Sequence, residues 1–211
     1  MDKITYLVLI GVIMFSYKIL ESIIKKFFPK LVKDQLWASI GYYLWGLVLL
    51  IVYLIIRPND YIIKNPINNE MGIMFILSFI ISTIIICIKN PNVYYPRKSN
   101  KLRCFHYGVI QPIFEEVAFR GLILPMTIYL LGINIGMIIL LNAIIFTLFH
   151  LNYWSFEKER MNMFLGFLVI GLLLNYITFM TQSILYSILC HIIINGGNTL
   201  YRNLKFKNQK A

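Results

Sequence analysis

The sequence predicts an all-α, polytopic integral membrane bundle of about seven transmembrane helices, and three observations carry that prediction. The 211 residues are 59% hydrophobic and only 14% charged, with a mean hydropathy of +0.72, values outside the range of soluble globular domains. The apolar residues form blocks long enough to cross a bilayer, because about 20 residues rising 1.5 Å each match its hydrocarbon core. The polar and turn-forming residues collect between the blocks, as at Asp60, Asn90-Pro91-Asn92 and Pro96-Arg97-Lys98-Ser99-Asn100.

Taken in order, the expected spans are residues 4–24, 36–56, 71–88, 105–131, 133–152, 162–180 and 183–201. The first begins with an apolar run from Ile4 to Phe15. Lys18, Glu21, Lys25 and Lys26 follow it without a small-residue cleavage pattern, so an uncleaved span is expected rather than a signal peptide. The second and third spans carry no motif. The fourth holds Glu115, Glu116 and Arg120, the fifth ends at His150, and the seventh holds His191 and Asn195. No repeat or low-complexity tract interrupts the series, so residues 1–211 read as one integral membrane domain.

The formal net charge of +11 would suggest nucleic acid in a soluble protein. Here the basic residues alternate by connector, and membrane orientation explains them better. Lys25, Lys26, Lys30 and Lys33 follow the first span. Lys89, Arg97, Lys98, Lys101 and Arg103 follow the third, Lys158 and Arg160 the fifth, and Arg202, Lys205, Lys207 and Lys210 form the tail. The second connector has only Arg57 and Lys64, and the fourth and sixth have none. The pattern places the N-terminus outside and the C-terminus in the cytoplasm. Cys87, Cys104 and Cys190 are widely spaced and odd in number, and read as small apolar residues rather than a disulfide or metal framework.

Phe114-Glu115-Glu116-Val117-Ala118-Phe119-Arg120-Gly121 sets two carboxylates and a guanidinium in an apolar helix. A charge at a helix centre in lipid costs roughly 3 kcal/mol on insertion scales, so these groups need internal partners or water. At 3.6 residues per turn Glu116 and Arg120 stack, while Glu115 is rotated about 100° away and is left as the more available carboxylate. The bland alternative is a buried ion pair with the second carboxylate protonated. His191 and Asn195, four residues apart, share a helix face and can aim donors at one point. Each histidine alone is also compatible with interfacial or packing roles.

In order and spacing, Glu115-Glu116-x-x-x-Arg120, Phe146-x-x-x-His150 and His191-x-x-x-Asn195 resemble the three motifs of the CPBP family, which includes Rce1-type CAAX prenyl endopeptidases, Abi proteins and bacteriocin self-immunity proteins. The resemblance covers roughly residues 105–200, about half the chain, and implies that this stretch is the catalytic core. It implies a helical intramembrane endopeptidase whose polar cavity opens toward cytoplasm and membrane. It further implies that Glu115 with His150 activates water, that His191 and Asn195 stabilise the oxyanion, and that Glu116 and Arg120 are structural or substrate-orienting. The chemistry is coherent, because a carboxylate in a dry cavity can act as a general base and fixed donors stabilise a developing alkoxide. No cofactor is expected. Two histidines and a carboxylate also meet the ligand count of catalytic zinc, so zinc stays open beside the metal-free reading.

No His-Glu-x-x-His, Gly-x-Ser-x-Gly or Gly-x-Gly-Asp motif is present to support another intramembrane protease chemistry. The expected partners are a membrane-associated peptide or protein substrate and the lipid bilayer, with no nucleic acid. A noncatalytic immunity or regulatory protein that binds a bacteriocin or sensor is the alternative. A proton-coupled transporter is disfavoured, since no paired broken helices recur in two halves. Isoleucine-, lysine- and asparagine-rich usage suggests a bacterial cell membrane. Gly132-x-x-x-Gly136 reads as turn chemistry, His106 as interfacial, and Tyr153 with Trp154 as part of an aromatic belt.

Overall fold

A computed structural model describes residues 3–27, 35–56, 68–89, 104–132, 134–150 and 158–208. All regular structure among them is helical: α1 (Lys3–Phe27), α2 (Gln35–Ile56), α3 (Asn69–Lys89), a π-helical segment π1 (His106–Ile110), α4 (Gln111–Glu116), a second π segment π2 (Val117–Ile123), α5 (Leu124–Leu131), α6 (Ile135–His150), α7 (Lys158–Thr181) and α8 (Ile184–Asn208). The protein is an all-α membrane bundle. The stretches Lys3–Ile24, Asn69–Lys89 and Phe164–Thr181 are long and apolar enough to cross a bilayer. Asp60, the turns at 90–92 and 96–100, Lys30, Lys33, Arg57, Lys64, Arg97, Lys98, Lys101, Arg103, Tyr153, Trp154 and Lys210 lie outside the described residues.

Helix ends follow local chemistry where it is visible. Asn68 Oδ1 accepts the Met71 N–H at 3.0 Å and caps α3. Gly132 ends α5 with φ of 56°, a left-handed conformation that glycine adopts without Cβ strain. This is the turn role the sequence indicated for Gly132. Asn134 Oδ1 then accepts the Gly136 N–H at 2.8 Å as α6 begins.

The chain divides into two compact units, one of Met1–Ile62 with Val117–Tyr176 and the other of Ile63–Glu116 with Ile177–Ala211. In the first, Trp45 Nε1 donates to Ser16 Oγ at 2.9 Å, and its ring stacks on Phe149 at 5.6 Å. Phe119 meets both Phe146 and Phe149 edge to face. Such pairs add about 0.5–1.5 kcal/mol each beyond the area they bury. Arg120, fully buried, lies with its guanidinium 4.4 Å from the Phe146 ring centroid. Its Nε donates to Asn175 Oδ1 at 3.0 Å, and Nη2 donates to the Gly171 carbonyl at 3.1 Å. Large apolar side chains such as Ile4, Leu7, Val8 and Phe15 face outward. That distribution suits lipid as the surrounding solvent.

In the second unit α8 packs on α3, π1 and α4, and small residues set how close it comes. A Cβ on Gly72 would run into the Tyr186 ring, and one on Gly197 would meet Thr83 Cγ2 at 2.6 Å. A Cβ on Gly108 would lie 3.0 Å from Gly196 Cα. Polar bonds accompany the contacts: Tyr186 Oη donates to Asn69 Oδ1 at 3.1 Å, and the Cys87 thiol donates to Asn198 Oδ1 at 3.2 Å. Buried polar groups in lipid gain most from such internal partners.

One sequence expectation is corrected here. The fourth span is not a uniform α-helix, because π1 and π2 widen its turns to i→i+5 bonding and shift the register of every side chain beyond them. His106 is buried, at 6% exposure. It opens π1, whose wider turn packs against α8.

Candidate active site

The site grows from the six-residue α4, which lies between two π segments and ends on Glu115 and Glu116. In the apolar sequence around it, hydrogen-bonding partners on α4 itself and on α8 help to offset the loss of water. Both carboxylates are buried, at 1% and 0% exposure, so exposure does not distinguish them; their partners do. Gln111 Nε2, one helical turn earlier, donates to Glu115 Oε1 at 2.7 Å. His191 Nδ1 lies 2.7 Å from Glu116 Oε1, and His191 Nε2 lies 3.7 Å from Glu115 Oε2.

The ring of His191 is thus held at Nδ1 by Glu116 and faced at Nε2, beyond hydrogen-bond distance, by Glu115. A carboxylate can only accept at this distance, which assigns the proton to Nδ1. Asn195 Nδ2 lies 3.3 Å from Nε2, so the amide sits on the same side of the ring as Glu115. Thr199 Oγ1 donates to the Asn195 carbonyl at 2.6 Å and ties the next turn of α8. The arrangement presents a carboxylate oxygen, an imidazole nitrogen and an amide donor to one small region, the parts needed to deprotonate a water and to receive negative charge on oxygen.

Of the residues singled out in the sequence, Glu115, Glu116, His191 and Asn195 come together in this unit. Arg120 and His150 belong to the other. There, His150 Nδ1 lies 2.8 Å from the Phe146 carbonyl, which can only accept; Nδ1 therefore carries a proton and Nε2 is the nitrogen able to take one. The His150 ring stacks on Phe167 at 4.6 Å. Gln111 and Asn175 were missed. Each is a lone polar residue in an apolar helix, and Gln111 stands four residues before Glu115, so membrane burial plus helical spacing was the available signal.

Two ligands of one tetrahedral zinc, with bonds of about 2.0–2.1 Å, stand about 3.3 Å apart. His191 Nδ1 and Glu116 Oε1 are at hydrogen-bond distance, 2.7 Å, and do not fit that arrangement. Among the described residues no group of three His, Cys, Asp or Glu side chains is placed to hold a metal.

No curated protein and no solved structure gives a significant match. A family model described as "Type II CAAX prenyl endopeptidase Rce1-like" matches residues 98–197, a stretch that contains Glu115, Glu116, Arg120, His150, His191 and Asn195. Over residues 98–197, just under half of its length, the chain is thus similar to the Rce1-like family of CAAX-type proteases.

Proposed function

We propose that the protein is an intramembrane endopeptidase that hydrolyses a peptide bond of a membrane-associated peptide or protein, with Glu115 as general base and no metal. The observation that supports this reading best is the His191 ring held at Nδ1 by Glu116 and approached at Nε2 by Glu115 and Asn195. In this reading Glu115 Oε2 takes a proton from water as the oxygen attacks the scissile carbonyl. The oxyanion forms beside the His191 ring and Asn195, with Asn195 Nδ2 as its amide donor. Glu115 then returns its proton to the departing amine, so that water is split across the amide and no proton is left over. Glu116 acts through His191 by fixing the ring's rotation and tautomer.

The family resemblance assigns His150 to water activation as well, and its Nδ1-protonated tautomer suits a proton acceptor at Nε2. We place the chain as a multi-pass protein of a bacterial cell membrane, with its C-terminus cytoplasmic. The test compares membrane peptides from cells lacking the protein with those from cells carrying Glu115→Gln. The same precursor should accumulate in both. A folded Glu115→Gln protein that still processes the precursor overturns the catalytic reading and favours a noncatalytic binding role.

A further inference from the structure

The Gln111–Glu115 bond has no place in the motifs that carry the family resemblance, and it bears on which carboxylate oxygen does the chemistry. We propose that Gln111 is a positioning residue for Glu115: its amide holds Oε1 and so presents Oε2 to His191 and Asn195. The inference rests on the catalytic reading of Glu115 above.

The geometry is specific. Gln111 Nε2 donates to Oε1 at 2.7 Å, a short distance for a bond from a neutral amide and one typical of a charged acceptor. The other oxygen, Oε2, is the one 3.7 Å from His191 Nε2. A glutamate side chain has three rotatable bonds, and its carboxylate can turn to offer either oxygen. With the amide on Oε1, one oxygen is occupied and the other is directed toward α8. Gln111 opens α4 and Glu115 lies one turn on, so the rigid helix fixes the spacing that makes the bond. Glutamine also supplies this donor without adding a charge to a site that already holds two carboxylates. The groups the structure shows around Glu115 are Gln111 and Glu116 from its own helix and His191 with Asn195 from α8. His106 from π1 also lies within electrostatic reach.

The test uses the full-length protein in liposomes with Gln111→Leu, which keeps an apolar side chain of similar length, and Gln111→Glu as a second variant. Difference infrared spectra against Glu115→Gln isolate the Glu115 carboxyl band. The band should shift in Gln111→Leu, because one oxygen loses its donor. On a quenched fluorescent peptide spanning the cleavage site of the precursor that accumulates in the Glu115→Gln comparison above, kcat should fall roughly tenfold to hundredfold with KM changed little, the pattern of a mispositioned catalytic group. Gln111→Glu should lose at least as much, since a like charge then faces Glu115. A Glu115 band unmoved by Gln111→Leu overturns the proposal, and so does a shifted band with unchanged kcat. Full cleavage by Glu115→Gln instead overturns the catalytic reading itself, and the infrared result still reports separately on the bond.

Discussion

The contact between Gly108 and Gly196 permits a prediction in which the same substitution, made on either side of one interface, has opposite effects. A Cβ on Gly108 would lie 3.0 Å from Gly196 Cα, a backbone atom that cannot swing aside. A Cβ on Gly196 would meet its nearest atom, the Gly108 carbonyl oxygen, at 3.4 Å, which is ordinary contact. Replacing glycine with alanine inside a helix gains about 0.5–1 kcal/mol from reduced unfolded-chain freedom. Overpacking a tight contact costs about 1–3 kcal/mol. Gly196→Ala should therefore be neutral or slightly stabilising, while Gly108→Ala should lose up to about 2 kcal/mol net. The propensity gain is similar on both sides, so the difference between the variants, about 1–3 kcal/mol, isolates the steric cost. For a chain of this length each kcal/mol corresponds to about 2–4 °C in melting temperature. Thermal unfolding in one detergent should place Gly108→Ala several degrees below Gly196→Ala. Equal melting temperatures, or the reverse order, would refute the close approach of π1 to α8.

Two further outcomes follow from the buried polar groups. Glu116→Gln keeps an acceptor for His191 Nδ1 but removes the charge and allows the amide to rotate; kcat should fall about hundredfold with little change in KM, measured in liposomes on the peptide substrate. Arg120→Lys removes a guanidinium that bonds Asn175 and the Gly171 carbonyl and lies over Phe146. A lysine cannot reproduce the two-directional fork, so the variant should lose about 2–5 kcal/mol of stability, read as a lowered unfolding midpoint.

Helix positions were legible in the sequence because lipid solvation leaves little freedom: a block expected at 71–88 is the helix Asn69–Lys89, and one expected at 36–56 is Gln35–Ile56. The fourth block was located correctly, but not its two π segments, because hydropathy does not record whether a turn closes at i+4 or i+5. Spacing on one helix indicated that His191 and Asn195 share a face, and they do, at 3.3 Å. It also directed attention from Glu116 to Arg120, four residues on. The bond between Glu116 and His191 joins residues 75 apart in sequence, and no local periodicity carries that information. Gln111 was overlooked for a different reason. Its signal was local, but a neutral amide does not stand out as a charge does in an apolar segment.

The pairing of His191 with Glu116 is the structural claim beneath the proposed chemistry, and magic-angle-spinning NMR in liposomes addresses it directly. With 15N-histidine and 13C-glutamate labels, a dipolar coupling between His191 Nδ1 and the Glu116 carboxyl carbon should be detectable, because the Nδ1 to Oε1 contact of 2.7 Å sets that carbon one bond farther away, and should vanish in Glu116→Leu. A His191 Nδ1 with no glutamate carboxyl carbon in coupling range would contradict the arrangement from which the hydrolytic mechanism is derived.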